Sequence, residues 1–98
     1  MTKEEIFEKI KDIVIEELCL SGGEVSNKIT LDTDIVETFG ADELDIAECV
    51  MDIESKFNIS IPEADCETYG MDSREFKLSK VVNYINDRVN PPRVPNEK

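Results

Sequence analysis

Carboxylates are the reactive groups this chain holds in quantity, and they crowd one stretch. Asp42, Glu43, Asp45, Glu48, Asp52 and Glu54 all fall within thirteen positions. Paired acids can do general acid–base work where a pocket drives one pKa away from the other. This chain has no His to move a proton near neutrality, and its sequence presents no nucleophile-plus-base set. Cys19, Cys49 and Cys66 are odd in number, widely spaced and without a CxxC pair. Reduced thiols are expected from that pattern, two of them serving as small apolar side chains, with neither a disulfide framework nor a zinc site. Asp32-x-Asp34 with Glu43 as twelfth residue imitates a calcium loop. Val36 at the fifth position and Glu37 at the sixth, where a glycine is needed, break it. The expectation is a protein that is not an enzyme and has no metal site.

Acids outnumber Lys plus Arg by 23 to 11, for a net charge of −12. Such a field repels nucleic acid and anionic membranes and draws in basic protein patches over a screened range of about 8–10 Å. The 98 residues suffice for one domain. A chain of that size buries about 60–65% of its unfolded surface, enough for a modest core and too little for a deep enzyme pocket. Met1 to Glu5 is charged and runs straight into a helical pattern, so neither a signal peptide nor a membrane span is expected. A cytoplasmic monomer is the corresponding expectation.

The elements that must position these acids follow from periodicity. Thr2-x-x-Glu5 forms a capping box ahead of Ile6, Phe7, Ile10, Ile13, Val14 and Leu18 at helical spacing, predicting a helix to about Leu20. Ser21 to Ala41 is predicted to be mostly irregular, pinned by Ile29, Leu31, Ile35, Val36 and Phe39, with a helical turn near Asp34–Thr38. Asp42 N-caps a helix to about Asn58, and Ile61-Pro62 opens a short helix from Glu63 to about Thr68. The last helix is expected to start at Asp72 or Ser73 and to bury Leu78, Val81, Val82, Ile85 and Val89. Residues 1–89 make the domain, and the proline-rich residues 90–98 are expected to be a disordered tail.

At about 100° per residue, the helix beginning at Glu43 sorts into three strips. Ile46, Cys49, Val50, Ile53 and Phe57 form a core face, and Asp45, Glu48 and Asp52 an opposite, solvated one. Between them Glu43, Leu44, Ala47, Met51 and Glu54 mix apolar with acidic groups. A core strip needs no carboxylates, and a solvated strip needs no Leu and Met. The mixture fits a docking surface whose apolar members give contact area while the acids steer a basic partner. Packing of Leu44, Ala47 and Met51 beneath the long loop is the competing reading.

Phe39-Gly40-Ala41-Asp42-Glu43-Leu44-Asp45, then Glu48 to Glu54, then Phe57-Asn58-Ile59-Ser60-Ile61-Pro62 together resemble the central region of acyl carrier proteins. The similarity extends weakly over residues 2–89. It implies an all-α, four-helix bundle that carries acyl groups on 4′-phosphopantetheine, esterified to a serine between the Asp and Leu of the turn. Here that position is Glu43, which lacks the hydroxyl. Ser55 is some three turns farther along the helix and Ser26 lies far back in the loop. With Glu43 in place no cofactor is expected, and 4′-phosphopantetheine only if a serine stood at 43.

Three explanations remain open: a natural chain that lost the arm and kept the docking surface, a working carrier of fatty acid, polyketide or lipid synthesis whose serine was replaced, or attachment elsewhere. The resemblance assigns Asp42, Asp45, Glu48 and Glu54 as acids shown to partners, and Leu44, Ala47 and Met51 as apolar contacts. It assigns Val36, Ile53, Phe57 and Ile61 to the wall around an acyl chain. The partners it implies are basic surfaces of acyl-transfer or lipid-synthesis enzymes, and a phosphopantetheinyl transferase if the serine were restored. Asp52, where a small or apolar residue is common, and the longer link Gly70–Phe76 depart from the pattern.

Overall fold

A computed structural model describes residues 1–20 and 23–90. Among the described residues, the regular elements are helices but for one small hairpin. In order come α1 (Lys3–Glu17), α2 (Gly23–Lys28), α3 (Ile35–Phe39), α4 (Glu43–Phe57), α5 (Glu63–Thr68), β1 (Met71–Asp72), β2 (Glu75–Phe76) and α6 (Leu78–Val89). α1 packs against both α4 and α6. Ile6, Ile10, Ile13 and Val14 of α1 meet Ile46, Cys49, Ile53 and Phe57 of α4 and Leu78, Val81, Val82 and Ile85 of α6 in one core. The apolar faces read from the helical period are the buried ones, except for Phe7, Leu18 and Val89, which are half-buried at the edge.

α1 stops at Glu17, short of the expected Leu20. Cys19 turns to φ 53°, the left-handed conformation that ends helices, and lets the N–H groups of Cys19 and Leu20 donate to the carbonyls of Glu16 and Ile15 at 3.2 and 2.9 Å. The stretch predicted to be mostly irregular holds two short helices. α3 occupies the expected turn; α2 has no counterpart among the expected elements, because six residues are too few to show a period. The expected tail lies outside the described residues apart from Asn90.

The largest departure is at the start of the last helix. Asp72 and Ser73 do not open it. Instead residues 71–76 form an antiparallel hairpin, with Met71 opposite Phe76 and Asp72 opposite Glu75. Asp72 Oδ1 accepts from the N–H groups of Arg74 and Glu75 at 2.9 and 3.4 Å, closing the turn. Gly70 enters it at φ 71°, and a Cβ there would come within 3.0 Å of the Glu75 side chain.

α6 begins only at Leu78, where Lys77 gives no side-chain cap. The carbonyls of Thr33 and Leu31 accept instead from Leu78 N and Ser79 N, both at 2.9 Å. One side chain, Asp34, ties this region together. Its Oδ1 accepts from Val36 N and Glu37 N at the start of α3 and, across the chain, from Phe76 N at 3.1 Å. Phe76 and Met71 are thereby locked into the core beside α3 and α4.

Candidate functional site

α4 starts at a reciprocal cap. Asp42 Oδ1 accepts from Asp45 N at 2.9 Å, and Asp45 Oδ2 accepts from Asp42 N at 3.1 Å. Gly40, at φ 68°, closes α3 so that the chain can turn directly into this cap. Glu43 is therefore in the first turn and exposed, where the unpaired N–H groups favour a negative charge.

Along the same side, Leu44 is 66% and Met51 64% exposed, with exposed Ala47 between them. The loop between α1 and α4 leaves them uncovered. Large apolar side chains standing in water on one helical face mark a surface that gains by being covered. Glu48 is exposed on the neighbouring ridge. Glu54 is half-buried and also holds backbone. Its Oε2 accepts from Ile61 N at 2.7 Å and clasps the chain entering α5.

Asp45 and Asp52, expected on a fully solvated strip, are half-buried. Asp45 is occupied by the cap. Asp52 faces Glu17 of α1 in a cleft of about 500 Å3 that Glu16, Ser55 and Lys56 also line. Asp52, as a hydrogen-bonding neighbour of the Glu17 carboxyl, then partial burial, then the charges of Asp52, Glu48 and Glu16, push the Glu17 pKa from 4.5 up to about 7.

A second cleft, of about 510 Å3, opens beside the exposed strip, between α4 on one side and α5 with the hairpin on the other. Glu43, Ile46, Ala47, Val50 and Met51 line it from α4; Ile61, Glu63, Cys66, Glu67 and residues 71–74 line it opposite. Of the four residues assigned to an acyl-chain wall, only Ile61 reaches this cleft. Ile53 and Phe57 are buried in the core and Val36 packs half-buried against it. Sequence reasoning did not foresee Glu63, Cys66, Glu67, Ser73 and Arg74 at the cleft, because they belong to other elements and carry no motif.

Cys49 and Cys66 offer little reactivity. Burial, and then the carboxylates around it, raise the Cys49 thiol to about 12, and Cys66 is pushed up for the same reasons. Among the described residues, no three His, Cys, Asp or Glu side chains stand together to hold a metal ion, and no helix is long and apolar enough to cross a membrane.

Residues 8–70 match the family model described as a phosphopantetheine attachment site. The acyl carrier protein of Campylobacter fetus subsp. fetus is 35% identical over 81 residues, covering 83% of this chain and 92% of that protein. That of Campylobacter hominis is 35% identical, covering 85% and 92%. The acyl carrier protein of Campylobacter jejuni is likewise 35% identical, over 83% and 92%.

Proposed function

The chain belongs to the acyl carrier family, whose members carry rather than catalyse and whose cofactor is 4′-phosphopantetheine. From that premise we propose that it works through its surface alone: α4 docks onto basic partner proteins, and no arm is attached at Glu43.

The observation that carries this reading is the uncovered pair Leu44 and Met51, flanking Ala47 beside Glu48. Burying two such side chains against a partner is worth about 1.5–3 kcal/mol each before ordering costs, enough to make the strip an anchor. The acids add rate and orientation more than affinity: a net charge of −12 speeds encounter with a basic patch and disfavours acidic competitors. Asp42 and Asp45 hold the first turn while their outer oxygens remain near the surface.

The residues present do not suit the family's covalent arm. Transfer of a phosphopantetheinyl group needs a hydroxyl oxygen as nucleophile, and Glu43 offers a carboxylate at the position of the family's serine. The helix tolerates that change well, since a charge there is favoured by about 0.3–1 kcal/mol. The partners this reading implies are acyl-transfer or lipid-synthesis enzymes with basic docking faces, which an armless carrier fold would occupy as an adaptor subunit or as a competitor of true carriers.

Intact-mass spectrometry after incubation with coenzyme A and a broad-specificity phosphopantetheinyl transferase tests it. The mass is expected to stay that of the bare polypeptide. Gain of one arm, at Ser73 beside the cleft or anywhere else, would overturn the reading in favour of a working carrier.

A further inference from the structure

The end of α1 runs against the usual make-up of a helix C-terminus. Its last turn holds Glu16 and Glu17 and no basic residue, so two carboxylates stand where the aligned peptide dipoles already place negative charge. The chain then leaves through Cys19 in the left-handed conformation, at φ 53°, which a residue with a Cβ adopts only at a cost.

Across the α1–α4 contact Glu17 meets Asp52, and both are half-buried. The other charged groups facing Glu17 are Glu16 of its own helix, Glu48 one turn before Asp52, and Lys56 one turn after it. Lys56 takes part in no ion pair among the described residues. No charged side chain of α2 or α6, the other helices packed on α1, lines this cleft among the described residues. Three acids and one unpaired base therefore surround Glu17. Cys49 lies beneath them, fully buried one turn before Asp52, in the same core as Ile13, whose side chain lines the cleft. The charges of Glu17 and Asp52 both act on its thiol.

We propose that this contact is a proton-operated seam: while Glu17 keeps its proton the last turn of α1 stays seated on α4, and once Glu17 is charged that turn lifts and uncovers Cys49, with the α1–α6 contact still closed. The opening needs no partner and holds whether or not α4 docks. The Glu17 pKa of about 7 puts the change near neutrality, with the protonated, seated form below it and the charged, lifted form above. Helix ends open locally at far lower free energy than the core they join, so one strained turn can move without the bundle.

Amide hydrogen exchange of the full chain at pH 6 and pH 8, resolved by residue and corrected for the intrinsic pH dependence of exchange, tests the seam. Protection of amides 14–18 is expected to fall by about tenfold between the two, as follows for a carboxyl that titrates near 4.5 when released and near 7 when seated. Protection of amides 81–85 in α6 is expected to change by less than about twofold. Alkylation by N-ethylmaleimide, read by peptide mass mapping, should shift toward Cys49 over the same range. The ratio to Cys66, a second thiol pushed up by burial, removes the pH dependence common to both. Asp52→Ala is expected to abolish both changes.

An equal loss of protection in α1 and α6 would overturn the seam in favour of a loosening of the whole bundle. Unchanged protection at 14–18, a constant Cys49 to Cys66 ratio, or a loss that survives Asp52→Ala would overturn it outright.

Discussion

Asp34 and the Glu17–Asp52 pair use the same functional group to opposite ends. Asp34 directs its charge at backbone: one oxygen accepts three N–H groups, two at the start of α3 and one from Phe76, and so binds the long connection to the hairpin. Glu17 and Asp52 face each other across the α1–α4 contact, with Lys56 the one cation lining their cleft among the described residues. No opposite charge joins them; the Asp52 carboxyl instead favours the protonated form of Glu17. An acid placed beside N–H donors holds a fold at any pH where it is ionised, whereas an acid placed beside another acid holds it only while one of them keeps its proton. In a chain with 23 acids and 11 bases there are too few cations to go round, so backbone N–H groups take the place of lysine.

The largest effect is expected from breaking the first region. Asp34→Ala removes the cap of α3 and leaves Phe76 N without its acceptor beside the core, which costs about 3 kcal/mol. Urea denaturation measures it. A loss below about 1 kcal/mol would mean that the hairpin is held by burial of Met71 and Phe76 alone.

The second region is sharpened by pH. The folded state raises the Glu17 pKa to about 7 from 4.5, so Glu17 holds its proton more tightly than in the unfolded chain. The stabilisation from that protonation is complete below about pH 4.5 and is lost as pH rises through about 7. The thermal midpoint of the unsubstituted chain should therefore fall between pH 5.5 and about pH 8. Asp52→Ala is expected to flatten that slope and to raise the midpoint at pH 8 above that of the unaltered protein. An unchanged slope would show that the two carboxyls do not interact in solution.

A smaller effect is expected at the start of α4, where charge and backbone again cooperate. Glu43→Ser gives up a first-turn charge for a neutral side chain and should cost about 0.3–1 kcal/mol at low ionic strength, shrinking as salt is added.

Much of this arrangement is legible in residue order, for reasons that also explain the failures. α4 announces itself through fifteen residues of helical period, the Asp42–Asp45 cap and the stop at Asn58. Pro62 sets the start of α5 in the same local way. The identity of the exposed strip follows from that period, since Leu44, Ala47 and Met51 fall between the faces whatever the rest of the chain does. The hairpin escapes such reading because two-residue strands have no period to detect, and because Asp72-x-x-Glu75 imitates a helix cap. What decides it is distant: Asp34 reaches Phe76 N across 42 positions. The same holds for the meeting of Glu17 with Asp52, and for the cleft wall at Glu63, Glu67 and Arg74. Each is a contact between elements, which no local spacing encodes.

A carrier fold that kept its landing surface and lost only its attachment oxygen should regain loading from a single substitution. The direct measurement is the rate at which a phosphopantetheinyl transferase loads Glu43→Ser, alone and combined with Glu48→Lys, at low ionic strength. The single variant should accept one arm, and the added lysine should lower kcat/KM about tenfold, a gap that closes as salt rises. A folded Glu43→Ser chain that stays unloaded, or that loads equally fast with Lys at 48, would contradict the account.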